Sequence, residues 1–480
     1  MLFNSIEFAF FLPIVFLLYW FVLNKNLKNQ NILLLLASYI FYGWWDWRFL
    51  SLIIFSSFVD YFVGISLSKT EKINKRKILL WTSIGVNLGF LGFFKYYNFF
   101  AESFAEAFTL FGASIDPNRL NIILPVGISF YTFQTLSYSI DVYRNKLKPT
   151  KDLIAFFAFV SFFPQLVAGP IERATNLLPQ FYKKRRFDYG EAIDGLKQIL
   201  WGLFKKIVIA DSCAKYANLI FNDSGDYSGS TLLLGAVFFT FQIYGDFSGY
   251  SDIAIGTSRL FGFNLMKNFA FPYFSRDIAE FWRRWHISLS TWFRDYLYIP
   301  LGGSRGGTLM KVRNTFIIFI VSGFWHGANW TFIIWGALNA VYFLPLLLLN
   351  KNRQHIEVVA KDNYFPKFRE LFNILITFGL TILAWIFFRA ENIAHAWQIL
   401  TEIFSKSLFT LPTERPYTIL LLLVVFTIFE WLGRDGEYAI ARLGKSWKTP
   451  VRWLVYYLFI ITIIYFSFAN SKQEFIYFQF

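Results

Sequence analysis

The run Thr315-Phe316-Ile317-Ile318-Phe319-Ile320-Val321-Ser322-Gly323-Phe324-Trp325-His326-Gly327-Ala328-Asn329-Trp330 decides how this chain is read. It holds no Lys, Arg, Asp or Glu, and the apolar sequence continues beyond it to Leu349. A stretch of that character matches the roughly twenty residues a helix needs to cross a bilayer. His326 therefore falls at membrane depth, where an ionisable side chain is costly and marks a functional position by default.

Composition extends the same reading to the whole chain. Of 480 residues, 56% are hydrophobic, 22% aromatic and only 16% charged, against about a quarter charged in soluble proteins. Apolar runs with at most two Asp, Glu, Lys or Arg recur throughout: Ser5–Leu23, Asn31–Trp45, Leu50–Leu67, Ile78–Phe100, Ile122–Ile140, Leu153–Val167, Ile199–Ala210, Leu232–Ile255, Thr315–Leu349 (broken or doubled), Leu371–Phe388, Tyr417–Leu432 and Val451–Phe468. The expected fold is an all-α polytopic membrane bundle of about 11–12 spans, with re-entrant and interfacial helices. The short or polar runs belong where irregular backbone is tolerated. Ser5–Leu23 lacks a basic front and a small-residue cleavage site and reads as a retained first span. With neither an internal repeat nor a low-complexity linker, residues 1–480 read as one integral membrane domain; Gln354–Arg369 is its most loop-like stretch.

The net charge of +15 suits basic cytoplasmic loops against anionic headgroups. Nucleic acid is excluded as a partner, because no basic domain outside the membrane is long enough to host it. Lys69, Lys72, Lys75, Arg76 and Lys77 make one loop basic, while Glu102, Glu106 and Asp116 make the next one, Glu102–Asn121, acidic. By the positive-inside rule the first lies in the cytoplasm and the second outside, which puts the N-terminus outside. A single cysteine, Cys213, excludes an intramolecular disulfide and any cysteine-based metal site. Three of the four histidines are too scattered to suggest a metal cluster.

Two of those histidines lie between Phe281 and Trp330. In Phe281-Trp282-Arg283-Arg284-Trp285-His286-Ile287-Ser288-Leu289-Ser290, the spacing of Trp282, Trp285, Leu289, Trp292 and Tyr296 predicts one amphipathic interfacial helix with an aromatic stripe. Glu280 precedes Arg284 by four residues, the favourable order for a helical ion pair. Arg283, Arg284 and Arg294 either set packing and topology or meet an anionic ligand such as the phosphates of a nucleotide-type acyl carrier. His286 reads as a hydrogen-bonded structural histidine. Around His326, a continuous helix would put Ser322 and Asn329 on its face, and Gly323 and Gly327 would let another backbone or a slim ligand approach. A neutral imidazole in such a place can serve as a general base toward a hydroxyl; a helix-packing histidine is the alternative.

Further polar islands interrupt the apolar runs at Pro125-Val126-Gly127-Ile128-Ser129-Phe130-Tyr131, at Pro164–Arg173 and at Tyr244–Asp252. Asp246 and Asp252 are six residues apart and share no helix face. Asp252 reads as an ion-pairing group, and Asp246 as one that could line a hydrophilic path. The chain has no phosphate-binding glycine loop, no Gly-x-Ser-x-Gly elbow and no His-Glu-x-x-His site.

Pro125–Tyr131, Gly169-Pro170-Ile171, Tyr244–Asp252, Phe281–Ser290 and Trp325-His326-Gly327, in this order and spacing, resemble the membrane-bound O-acyltransferase family, in particular its alginate O-acetylation branch. The resemblance implies a helical bundle pierced by a transmembrane tunnel, with two histidines near its waist. His326 is then the catalytic histidine and His286 the second family histidine. It implies transfer of an acetyl or other short acyl group from a cytosolic thioester, acetyl-CoA or a carrier thioester, with no bound cofactor. The final acceptor is an exported cell-surface polysaccharide, reached through a secreted or periplasmic partner acetyltransferase, and the location is the inner (plasma) membrane. On this scheme Ser322 or Asn329 orients the imidazole, Asp246 supports the path, and Arg283, Arg284 and Arg294 hold the donor. Phe324 and Trp325 wall a small acyl pocket. The alternatives are a lipid- or protein-directed or D-alanyl-transferring member of the same family, and a transporter without chemistry.

Overall fold

Backbone that sits in lipid must satisfy its own hydrogen bonds, so apolar runs become helices. In the computed structural model, described over residues 1–109, 116–117, 119–444, 447–470 and 473–478, the described residues form helices and no strands. The middle of the acidic loop, residues 110–115 and 118, lies outside the described residues. Six helical stretches are long and apolar enough to cross a membrane: Leu27–Ser68, Ile73–Thr109, Gly229–Leu260, Trp330–Leu348, Phe368–Arg389 and Thr449–Ala469. Ile6–Val22 and Tyr417–Leu432 are shorter apolar helices. The protein is thus all-α and multi-pass.

The chain divides into two compact units, residues 1–195 with 257–266, and residues 196–256 with 267–480. The first holds α1 (Ile6–Leu17), α2 (Leu27–Asp46), α3 (Leu50–Ser68), α4 (Ile73–Leu91), α5 (Tyr97–Thr109), α6 (Ile128–Tyr143), α7 (Leu153–Ser161) and α8 (Ala174–Leu177). Helix α6 begins later than hydropathy suggests, because Pro125 and the left-handed Gly127 (φ +75°) precede it. A Cβ on Gly127 would meet the Leu166 carbonyl at 2.8 Å, so this glycine brings the first polar island against the second. Helix α7 stops at Ser161, and the Pro164–Arg173 stretch is the irregular turn its two prolines predict. There Gln165 donates to Gln134 (2.8 Å), and Gln134 donates to the Phe159 carbonyl (2.7 Å).

At the centre of this unit Asp60 of α3 is fully buried. It accepts hydrogen bonds from the Ser83 hydroxyl, from Asn87 at 2.9 Å and from Ser139 at 2.9 Å. Asn87 in turn accepts from Ser56 and Thr135, each at 2.9 Å. Neutral donors on α3, α4 and α6 thereby meet the desolvation cost of a carboxyl group buried in an apolar setting.

α9 (Tyr189–Leu203) and α11 (Gly229–Leu260) contribute residues to both units. The second unit adds α10 (Asp211–Asn222), α12 (Ile278–Arg284), α13 (Ile287–Phe293), α14 (Thr308–His326), α15 (Trp330–Leu348), α16 (Phe368–Arg389), α17 (Ile393–Ile403), α18 (Tyr417–Leu432) and α19 (Thr449–Ala469). Thr315–Leu349 is doubled, as its length suggests. Helix α14 ends at His326 with Gly327 extended, and α15 starts after its cap Asn329, whose Oδ1 accepts from the Thr331 amide at 2.9 Å. Cβ atoms on Gly323 and Gly327 would meet Phe332 atoms at 2.2 and 2.0 Å, so these two glycines let α15 fold back closely along α14.

Candidate active site

The expected single interfacial helix around His286 is instead two short helices, α12 and α13, hinged at Trp285 and His286. His286 adopts φ +44°, a left-handed conformation that few non-glycine residues take. Asn268 holds the break. Its carbonyl accepts from the Ile287 amide at 2.9 Å, and its Oδ1 accepts from the Ser288 hydroxyl at 2.9 Å. The same Oδ1 accepts from His286 Nδ1 at 3.1 Å, while Asn268 Nδ2 donates to Ser251 at 3.1 Å. This fixes the ring's tautomer, with the proton on Nδ1. The His286 side chain is buried, at 1% exposure, with its Nδ1–H given to Asn268. Asn268 escapes sequence reading because no spacing rule links a lone loop asparagine to a histidine eighteen residues on.

His326, at the end of α14, is 3% exposed and lies 6.5 Å from His286, measured between ring centroids. Trp325 (4.9 Å), Trp335 (5.2 Å) and Phe388 (5.4 Å) pack edge-on against its ring, and Trp335 stacks in turn on Trp385 at 5.5 Å. Hydropathy cannot separate Trp335 and Phe388 from other apolar residues of α15 and α16, so only the structure selects them. Phe324 is two residues before His326 and about 200° round the helix from it, half-buried. Of the two expected acyl-pocket residues, Trp325 packs on the histidine.

Ser322, one turn before His326, is on the same face of α14 as Phe319 and Thr315. These three line a cavity of about 240 Å³, together with Trp282, Arg294 and Arg353 among others. Asn329, expected on that face, is not there. The helix ends at Gly327, and the Asn329 side chain caps α15 and donates to the Glu391 carbonyl at 2.8 Å.

The arginines separate in the same way. Arg284 forms the predicted i, i+4 ion pair with buried Glu280 (2.9 Å), which Arg276 joins at 3.0 Å. Arg283 donates to the Asn352 and His355 carbonyls at 2.7 and 2.8 Å. Both side chains are thus committed to the protein, pinning α12 and the loop after α15. Of the three expected donor ligands, Arg294 lines the cavity; it sits beside Asp295 at 2.7 Å and is 59% exposed. Arg353, which also lines this cavity, was not expected.

Asp246 is not brought to the histidines. It is ion-paired with Lys206 at 2.8 Å and accepts from the Ile476 amide at 2.6 Å. Asp252 pairs with Lys205 at 2.6 Å, the ion-pairing role read for it. Between these pairs, Gly202 and Gly249 let α9 and α11 touch: a Cβ on either would meet the other's carbonyl within 2.8 Å. The Tyr244–Asp252 island thus clamps α11 to α9 through its acids and Gly249, while its Phe247 packs edge-on against His286 at 4.6 Å and its Ser251 bonds Asn268.

A family model for the membrane-bound O-acyltransferase family matches residues 144–388. The chain is 42% identical over 409 residues to the probable alginate O-acetylase AlgI of Pseudomonas aeruginosa, covering 84% of this chain and 75% of that protein. It is 38% identical, over the full length of both, to the protein of the same name from Pseudomonas putida. It is 37% identical to the peptidoglycan O-acetyltransferase of Helicobacter pylori, covering 83% of this chain and 79% of that protein. The chain belongs to the membrane-bound O-acyltransferase family. It is a multi-pass membrane O-acyltransferase.

Proposed function

We propose that this enzyme transfers an acetyl group from a cytosolic thioester, acetyl-CoA, through the membrane to a hydroxyl, for O-acetylation of an exported cell-surface polysaccharide. The setting is the inner membrane, with the N-terminus outside, and one catalytic domain made by the whole chain. A secreted or periplasmic acetyltransferase takes the group onward to the polymer. The names of the relatives support a polysaccharide acceptor, since alginate and peptidoglycan O-acetylases are among them.

The observation that carries the reading is the row Thr315, Phe319, Ser322 on one face of α14, which runs along the cavity toward His326. Arg294 and Arg353 both line the cavity and are suited to the phosphates of the donor. Its thioester then lies along the row toward Ser322. A nitrogen of His326 takes the hydroxyl proton as the oxygen attacks the thioester carbonyl. The C–O bond forms, the C–S bond breaks, and the imidazolium returns its proton to the departing thiolate. His286, fixed by Asn268, supports the neighbouring ring. The rings of Trp325, Trp335 and Phe388 crowd His326 at 4.9, 5.2 and 5.4 Å between centroids, which favours acetyl over long chains.

Inside-out membrane vesicles supplied with labelled acetyl-CoA test this directly. Label should enter ester form in the lumen, and an excess of unlabelled palmitoyl-CoA should leave the rate within twofold. Competition by the long-chain thioester would favour a lipid- or protein-directed enzyme. Label accepted only from an acyl carrier protein would favour the D-alanyl type of donor. Passage of label without any ester would favour a transporter.

A further inference from the structure

A second cavity in the same unit, of about 560 Å³, has no part in the chemistry above. Its walls include Leu371, Leu375 and Phe378 from the first turns of α16, and Phe426 and Ile428 from the last turns of α18. Both helices are apolar stretches read as crossing the membrane. The polar side chains on its wall are already provided for. The Tyr244 hydroxyl donates to the Glu430 carboxyl at 2.5 Å, and the Thr427 hydroxyl donates to the Leu423 carbonyl at 2.7 Å. A water there would find few partners, and an empty apolar void forfeits the dispersion contacts of its lining. At membrane depth, the material that fills such a space is hydrocarbon.

The rim suggests which hydrocarbon. Tyr364, Phe365 and Pro366 line the cavity, and Tyr364 and Phe365 are 84% and 83% exposed, so the cavity opens beside them. Aromatic residues alternate here with bases, Lys361, Tyr364, Phe365, Lys367, Phe368 and Arg369, beside the acids Asp362 and Glu370; the Glu370 carboxylate is committed to Arg276 at 3.0 Å and to the Lys367 amide at 3.1 Å. Aromatics and cations at the start of a span are the pattern of the headgroup layer. The segment is also held in place. Trp431 Nε1 donates to the Tyr364 carbonyl at 2.7 Å, and Arg434 donates to the Ala360 and Asn363 carbonyls at 2.8 and 2.6 Å.

We propose that this cavity binds one acyl chain of an anionic glycerophospholipid, whose phosphate meets Lys367 and Arg369. The site does not depend on the histidine chemistry. It is tested on the full-length protein in mild detergent, by native mass spectrometry after addition of dioleoyl-phosphatidylglycerol or dioleoyl-phosphatidylcholine. Wild type should retain one phosphatidylglycerol per chain at about one tenth of the concentration needed for phosphatidylcholine. Leu375→Trp fills the cavity from a residue that is 59% exposed, with little folding cost. It should cut retention of both lipids about tenfold. Lys367→Glu with Arg369→Glu should abolish the preference for phosphatidylglycerol while leaving phosphatidylcholine retention unchanged. If Leu375→Trp does not unfold cooperatively like wild type, Leu371→Trp serves as the cavity-filling variant. Equal retention of the two lipids by wild type, undiminished retention by a cavity-filled variant, or a preference that survives the charge reversal would each overturn the proposal.

Discussion

Asp60 and His326 are both ionisable side chains buried in apolar helices, at 0% and 3% exposure, yet their surroundings differ in kind. Ser83, Asn87 and Ser139 donate to Asp60, and further hydroxyls back Asn87. His326 is walled by aromatic rings, and the cavity lined by Ser322 reaches to one helical turn from it. A buried polar group enclosed by neutral donors is a packing device, costly to remove and silent in the chemistry. One set a single helical turn from a cavity is placed to meet something that arrives.

That contrast breaks if variants near the histidines behave like variants at Asp60. The largest effect expected, after loss of His326 itself, is at Asn268. Asn268→Ala frees the left-handed turn at His286, and a misplacement of even about 1 Å can cost about 100-fold in turnover. Steady-state kinetics on purified protein should show that fall in kcat with KM within twofold. A fall matched by loss of folded protein would make Asn268 structural only. Next comes Asp60→Ala, which strands buried donors at a cost of about 1–3 kcal/mol each. Thermal unfolding should move down by several degrees while activity per folded molecule stays within twofold; a specific loss of activity would draw Asp60 into the mechanism. The smallest effect sharpens the picture of the cavity. Arg353→Ala should raise KM for the acyl thioester about tenfold, equivalent to ~1.4 kcal/mol, with kcat unchanged. A change in kcat alone would remove Arg353 from donor binding.

Six apolar helical stretches and two shorter ones were legible because hydrophobic length is imposed by the bilayer itself; of the 11–12 spans expected, the runs Ile122–Ile140, Leu153–Val167 and Ile199–Ala210 are not among them. The doubling of Thr315–Leu349 and the tight approach at Gly323 and Gly327 were equally legible, since both follow from length and residue size. The hinge at His286 was not. The aromatic stripe keeps helical spacing straight through it, with neither glycine nor proline to mark a stop, and tertiary hydrogen bonds from Asn268 impose the break. The same limit misplaced Asn329, because a helix end set by α15 folding back leaves no mark in periodicity. Arg283 looked free for a ligand because its partners, the Asn352 and His355 carbonyls, are set by tertiary structure, whereas the Glu280 partner of Arg284 was already legible in the i, i+4 spacing.

The role of His326 is tested most directly by acetyl ester content of surface polysaccharide, in cells expressing wild type or His326→Ala at equal membrane abundance. General acid–base catalysis contributes about 10²–10⁴-fold, so the variant should leave no more than about one hundredth of the wild-type esters. Esters at the wild-type level, with the variant folded and in the membrane, would contradict the assignment of the imidazole as the base.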